Sequence, residues 1–142
     1  MTPRIIPVEL FDLVVFGATG DLSKRKLLPA LFHRDLQGQI PPGSRIIGCS
    51  RRAMTNVEFQ AFARKAIEDH VAAADRPPEM MARFLERLHY VTADAAQDAG
   101  WSDLGKLLKP EAERIRVFYL AVGPDLFGPI CEKLAAHHLV TP

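Results

Sequence analysis

The sequence predicts an α/β fold of the doubly wound class, in which helices cover both faces of a parallel sheet. Short apolar runs typical of buried strands alternate with longer segments whose apolar residues recur at helical spacing. No internal repeat or low-complexity tract interrupts this alternation. Since about four strands fit and doubly wound sheets often have about six, we expect residues 1–142 to form one domain with an incomplete sheet.

A glycine-rich turn joins the first strand to the first helix. Residues 12–16, Asp-Leu-Val-Val-Phe, form an apolar run that ends at Gly17, as expected for a strand buried on both faces. Apolar residues at helical spacing follow over 27–36, and Gly38 is the predicted helix stop. Pro29 is expected to bend this helix or to delay its regular part.

The later elements continue the alternation. Residues 45–49 predict a second strand, after which Thr55 and Glu58 form a possible capping box that opens a helix. The remaining elements are predicted as a short helix over 81–88, a weaker strand at 89–92, a helix from 101 that Pro110 ends, a strand at 115–122 and a last helix over 127–135.

Charge and cysteine usage exclude several classes of protein. The net charge is +1, from 18 basic and 17 acidic side chains, so no general field attracts nucleic acid or an anionic membrane surface. Cys49 and Cys131 lie far apart without CxxC spacing, which indicates neither a zinc site nor a disulfide framework. No segment approaches the roughly 20 apolar residues of a membrane span. We therefore expect a cytoplasmic protein.

The turn after the first strand has the position and composition of a phosphate-binding loop. Its glycines stand where dinucleotide-binding, Rossmann-type folds place theirs, and its GxxGxxS pattern lacks the lysine of a Walker A loop. Basic residues at 24–26 oppose the helix dipole, a cost that bound phosphate would reverse. The alternatives are glycines that serve only the turn and a solvated basic face. The candidate ligands are Gly17, Ala18, Thr19, Gly20, Asp21, Leu22, Ser23 and Lys24.

The end of the second strand indicates which dinucleotide binds. An NAD-specific fold generally has an acidic residue there for the ribose 2′-hydroxyl, whereas this strand ends Cys-Ser-Arg-Arg at residues 49–52. The guanidinium of Arg51 can bind a 2′-phosphate through two hydrogen bonds, and Ser50 could add a hydroxyl. This end of the strand therefore favours NADP, with an ordinary surface arginine as the alternative.

Three segments carry a resemblance to a known family. Residues 15–31, Val-Phe-Gly-Ala-Thr-Gly-Asp-Leu-Ser-Lys-Arg-Lys-Leu-Leu-Pro-Ala-Leu, are similar to the opening signature of glucose-6-phosphate dehydrogenases. Residues 47–51, Ile-Gly-Cys-Ser-Arg, resemble the second strand of that family, and residues 118–122, Phe-Tyr-Leu-Ala-Val, resemble its fourth. The three motifs occur in order and span most of the chain.

The resemblance implies oxidation of glucose 6-phosphate to 6-phosphogluconolactone with NADP as hydride acceptor, the entry step of the pentose phosphate pathway. By resemblance, Arg51 would bind the 2′-phosphate, Tyr119 would line the cofactor cleft and Asp94 would lie on the adenine side. The chain departs from the family pattern at Ser23, commonly alanine, and at Gly123, where one of two prolines is frequent.

The resemblance also implies what this chain lacks. The segments similar to Glu-Lys-Pro-Phe-Gly and Arg-Ile-Asp-His-Tyr, which hold the sugar phosphate and the catalytic histidine in the family, are absent. We therefore expect no catalytic residue and no substrate domain here, and no sugar oxidation by this chain alone, while the intact enzyme would bind glucose 6-phosphate and could be a homo-oligomer. The histidines are expected to be ordinary helix or loop residues, at His33, His70, His89, His137 and His138.

Two other functions compete with the dehydrogenase interpretation. A short-chain NADP reductase or epimerase needs a Tyr-x-x-x-Lys pair, but Tyr90 is followed at that spacing by Asp94 and Tyr119 by Gly123. A non-catalytic NADP-sensing module needs no further residues, so the sequence leaves it open.

Overall fold

The computed structural model describes residues 9–109 and 114–140, which form a four-stranded parallel sheet in the order β3-β2-β1-β4. The strands are β1 (Phe11–Phe16), β2 (Arg45–Ser50), β3 (Leu88–Thr92) and β4 (Ile115–Leu120). The helices are α1 (Leu28–Leu36), α2 (Asn56–His70), α3 (Pro78–Glu86), α4 (Trp101–Leu108) and α5 (Phe127–Ala136). Among the described residues, no helix is long and apolar enough to cross a membrane.

Helices pack on both faces of the sheet, as predicted, although one face of β4 is left exposed at Ile115, Val117 and Tyr119. Leu13 and Val15 of β1 pack with apolar residues of α1, α2 and α3, whereas Val14 and Phe16 pack with those of α4 and α5. The chain runs outward from β1 to β3 on one face and returns to β4 on the other, so the direction of winding reverses between β1 and β4. The doubly wound α/β class with about four strands is confirmed.

Pro29 delays the regular part of the first helix. The helical segment starts at Asp21 and widens into a π-turn over Ser23–Leu27, in which the N–H of Leu28 bonds the carbonyl of Ser23, five residues back. Regular α-helix begins at Leu28. Pro29 has no N–H and its ring would crowd the carbonyl four residues earlier, so a wider turn accommodates it.

The capping box at the start of α2 is present. Thr55 Oγ1 accepts a hydrogen bond from the N–H of Glu58 at 3.1 Å, and the Glu58 carboxylate accepts one from the N–H of Thr55 at 3.0 Å. These bonds satisfy two N–H groups that the helix itself cannot.

Some predicted boundaries were wrong by one or two residues. Leu88 belongs to β3, where it pairs with Ile46, and not to the preceding helix. Strand β4 ends at Leu120 and not at Val122, because the chain then turns toward a short 3₁₀ segment at Pro124–Leu126. The predicted stop at Pro110 lies outside the described residues.

Buried ion pairs join the elements at the amino-terminal edge of the sheet. Asp12 is fully buried and accepts two hydrogen bonds from Arg45, at 2.9 and 2.7 Å. Asp35, 1% exposed at the end of α1, accepts bonds from Arg87, which also donates to the carbonyls of Ile40, Pro41 and Ser44. These groups serve the fold, because they lie at the opposite edge from the glycine turn.

Candidate dinucleotide-binding site

A cavity of about 500 Å³ opens at the carboxyl ends of the strands. It lies where ligands bind in doubly wound folds, outside the strand ends and at the reversal of winding. The glycine turn contributes Gly17, Thr19 and Gly20 to its lining, the end of β2 contributes Arg51, and the residues after β3 contribute Asp94. These five sequence-predicted residues are thus brought together around one space.

Gly17 is required by a close approach between the ends of β1 and β4. Its φ is +78°, and a Cβ there would lie 2.2 Å from the carbonyl oxygen of Ala121 and 2.9 Å from Cγ1 of Val122. The N–H groups of Gly17 and Ala18 both donate to the carbonyl of Cys49, at 2.9 and 3.2 Å. The turn is therefore held against two neighbouring strand ends.

The start of the first helix leaves backbone N–H groups available to a ligand. Helical structure starts at Asp21, and the N–H of Lys24 donates to the carbonyl of Gly20 at 3.1 Å. A helix offers no carbonyl partner to the N–H groups of its first turn, which here belong to residues 21–23. Gly20 itself donates to the carbonyl of Gly17 at 3.0 Å, so its own N–H closes the turn.

The basic side chains near the turn differ in their pairing. Arg25 forms an exposed ion pair with Asp21 at 2.8 Å. Arg51 and Arg52 are exposed, and within the described part of the chain neither guanidinium has a hydrogen-bond or ion-pair partner. An anion in the cavity would therefore meet charges that are not neutralised by the protein.

Tyr90, which the sequence analysis did not identify as a site residue, reaches the end of β2. Its hydroxyl lies 2.5 Å from Ser50 Oγ and 2.5 Å from the carbonyl oxygen of Arg52. Thr19 Oγ1 donates to the same Ser50 oxygen at 3.2 Å. Tyr90 stands in a different strand, 40 residues from Ser50, so no local pattern indicates this contact.

Asp94 and Tyr119 occupy different surroundings. Asp94 is half-buried beside the cavity, its Oδ1 accepts from the N–H of Ala96 at 3.0 Å, and its carbonyl accepts from the indole N–H of Trp101 at 2.8 Å. Tyr119 is 40% exposed, pairs with Val15 in register, and is not part of the cavity lining. Its cofactor role stays a prediction.

Several predicted ligands stand beside the cavity without lining it. The helix residues Asp21 and Leu22 are exposed, and Lys24 is half-buried. Ala18, 1% exposed, packs into the core against α2, and Ser23 is equally buried. Residues 21–24 can therefore contribute backbone groups and charge at the helix start, and their role as ligands stays a prediction.

None of the five histidines lines the cavity, but His89 lies in β3 and not in a helix or loop as expected. Burial, with the Arg45 charge, lowers the pKa of His89, which keeps that imidazole neutral near pH 7. His137 lies 3.7 Å from Asp98 at the end of α5.

The Ser23 hydroxyl has no hydrogen-bond partner among the described residues, although the residue is only 1% exposed. We expect Ser23→Ala to raise the free energy of unfolding by about 1 kcal/mol, because it removes an unpaired buried polar atom and favours the helix. Urea denaturation measures the change. A loss of stability of similar size would instead show that the hydroxyl is bonded in solution.

Comparison with known proteins agrees with this geometry. Residues 14–142 match the family model described as the NAD binding domain of glucose-6-phosphate dehydrogenase. The chain belongs to the glucose-6-phosphate dehydrogenase family. It is 48% identical to the glucose-6-phosphate 1-dehydrogenase of Rhizobium meliloti over 99% of its own length and 29% of the relative, and 46% identical to that of Gluconobacter oxydans over 95% and 28%.

Solved structures of the family share the fold. A glucose-6-phosphate dehydrogenase in complex with its substrate glucose-6-phosphate superposes with a TM-score of 0.82 at 30% identity, over 96% of this chain and 29% of the other. The Mycobacterium avium enzyme superposes with a TM-score of 0.81 at 27% identity, over 94% and 28%. The chain thus spans less than a third of the length of these family members, and it corresponds to their dinucleotide-binding portion.

Proposed function

We propose that this chain is the NADP-binding portion of an enzyme that oxidises glucose 6-phosphate to 6-phosphogluconolactone. The choice of NADP rests on the end of β2, where Arg51 lines the cavity with a guanidinium that pairs with no described residue and where no acidic residue directly follows the strand. Arg51 would bind the 2′-phosphate, because a guanidinium matches the geometry of a phosphate with two parallel donors.

The expected positions of the other cofactor groups follow from the position of the 2′-phosphate. The pyrophosphate would lie at the start of the first helix, where the N–H groups of residues 21–23 and the helix dipole favour negative charge. Asp94 would lie on the adenine side, and the strand end near Tyr119 and Val122 would lie toward the nicotinamide. When bound, NADP supplies the hydride-accepting ring, and the protein contributes binding and orientation.

Oxidation of the sugar is proposed only for the intact enzyme. Relatives are more than three times as long as this chain, and one that shares the fold was solved with glucose-6-phosphate as its substrate. The base that takes the hydroxyl proton must lie within hydrogen-bond reach of the sugar, and we propose that residues outside this chain supply it. The family match favours this function over a short-chain reductase or epimerase.

Location and assembly stay predictions. Cys49 is buried and burial raises the pKa of its thiol, which leaves it unreactive, while Cys131 is exposed and unpaired. Two free cysteines are compatible with a reducing cytoplasm, which we propose as the location. Assembly of the intact enzyme as a homo-oligomer stays a prediction.

We expect Arg51→Ala to weaken NADP binding by roughly ten- to a hundredfold, because a charge-assisted contact contributes about 1.5 to 3 kcal/mol. NAD affinity should change less than about twofold, since NAD lacks the 2′-phosphate. Calorimetric titration of the chain with each dinucleotide measures the difference. Arg64→Ala is the matched control, since Arg64 is an exposed arginine on α2 that does not line the cavity. Equal loss for both dinucleotides, or equal affinity before mutation, would contradict the proposal.

A further inference from the structure

The hydrogen bonds around Tyr90 have only one consistent direction. The carbonyl of Arg52 can only accept, so the Tyr90 hydroxyl donates its proton to that oxygen, at 2.5 Å. Ser50 Oγ, also 2.5 Å from the Tyr90 oxygen, must then be the donor of the second bond. The Ser50 oxygen in turn accepts from Thr19 Oγ1 and from the N–H of Arg52, both at 3.2 Å. Ser50 therefore has no second proton for a phosphate in this arrangement.

The same tyrosine fixes the segment that follows β2 at both of its ends. Its hydroxyl bonds Ser50 and Arg52, and its backbone N–H donates to Oδ1 of Asn56 at 2.8 Å, at the start of α2. Arg51 lies between the first two contacts. Through Thr19, the same bonds extend to the glycine turn, so both phosphate-binding segments share one network.

The position of the Tyr90 hydroxyl is set by the core. The residue is 7% exposed, and its ring centroid lies 5.1 Å from that of Phe59. Phe59 in turn lies over Gly48 of β2, where a Cβ would meet Phe59 Cζ at 2.5 Å. Burial also raises the pKa of Tyr90, so the hydroxyl keeps the proton that it donates. A rigid ring thus holds a segment that is itself exposed.

We propose that Tyr90 is the positioning residue for 2′-phosphate recognition. It does not touch the cofactor. It holds the backbone on both sides of Arg51, so that the Cα of Arg51 is fixed at the edge of the cavity while its guanidinium is exposed. This inference rests on the proposed function, in which Arg51 binds the 2′-phosphate. Because the segment is already ordered, NADP binding has a smaller conformational-entropy cost.

The binding test uses adenosine 2′,5′-bisphosphate and 5′-AMP, which differ only by the 2′-phosphate. Tyr90→Phe keeps the ring and removes the hydroxyl, and we expect it to weaken the bisphosphate about three- to tenfold while 5′-AMP changes less than about twofold. In an Arg51→Ala background the same substitution should have almost no further effect, because Tyr90 acts through Arg51. Equal losses for both ligands, or a loss that persists without Arg51, would overturn the proposal.

A second measurement reports the segment without any ligand. Trypsin cleaves after arginine, and we expect Tyr90→Phe to speed cleavage after Arg51 and Arg52 relative to cleavage after the helical Arg64, as followed by mass spectrometry. Ser50→Ala, which removes the bond that Tyr90 accepts, should act in the same direction if Tyr90→Phe does not fold. Unchanged cleavage in both variants would overturn the positioning role.

The two measurements separate the inference from the function on which it rests. If Arg51→Ala alone leaves the preference for the bisphosphate unchanged, the proposed role of Arg51 is wrong, and the specificity role of Tyr90 is wrong with it. If Arg51→Ala is selective but Tyr90→Phe is not, only the inference about Tyr90 is wrong.

Discussion

Replacing Gly17 by alanine is expected to lower the free energy of unfolding by about 3 to 5 kcal/mol and to abolish NADP binding. The added Cβ would lie 2.2 Å from the carbonyl oxygen of Ala121, a backbone atom at the end of β4 that cannot rotate away. The backbone at Gly17, with φ of +78°, is also one that residues with a side chain rarely adopt. Either β4 moves away from β1 or the glycine turn shifts, and both changes displace the proposed pyrophosphate site.

Gly38→Ala is the matched control for this prediction. Gly38 has a similar φ of +69°, but a Cβ there would meet no atom within 4 Å. It should therefore cost only the backbone strain, about 1 kcal/mol, and leave NADP affinity unchanged. Urea denaturation and calorimetric titration of both variants separate strain from steric overlap. Equal destabilisation by the two substitutions would show that steric overlap with Ala121 does not contribute to the cost at Gly17.

Asp35→Ala is expected to cost about 3 to 5 kcal/mol of stability, because it leaves a buried arginine without its counter-charge. Asp35 accepts hydrogen bonds from Arg87 at 3.1 and 3.3 Å, and the Arg87 side chain is only 7% exposed. The remaining donors of Arg87 bond main-chain carbonyls of residues 40–44, so the substitution also loosens the connection between α1 and β2. NADP affinity of the folded fraction should not change, since this network lies at the opposite edge of the sheet.

An exposed ion pair provides the comparison for Asp35. Asp69 lies 3.6 Å from Lys65 on the surface of α2, with side-chain exposures of 43% and 73%. Asp69→Ala should therefore change stability by less than about 0.5 kcal/mol. Denaturation curves in urea give both values. A cost below about 1 kcal/mol for Asp35→Ala would mean that the carbonyl contacts alone stabilise Arg87.

Local patterns were sufficient for most of the fold. The capping box at Thr55 and Glu58 and the delay at Pro29 were predicted correctly because both depend on residues within one or two turns of the chain. The boundary errors at Leu88 and Val122 arose because strand ends are set by pairing with a neighbouring strand, which a local apolar pattern does not contain.

The site was predicted unevenly for the same reason. Gly17 and Arg51 follow directly from strand ends, and parallel strands bring those ends to one edge, so both line the cavity, while their roles as ligands stay predictions. Tyr119 also stands at a strand end, but side chains alternate between faces along a strand, and it projects from the face where β4 is exposed.

The sequence by itself determined the α/β class, the glycine turn and the absence of an acidic residue directly after the second strand, since each depends on residues that are close in the chain. Only the tertiary structure decided which distant groups surround them. It placed the Tyr90 hydroxyl against Ser50 and Arg52, and the Asp35 carboxylate against Arg87, across separations of 38 to 52 residues. Such contacts depend on the direction of each side chain and on strand order, which follow from the packing of the whole sheet and not from any local pattern.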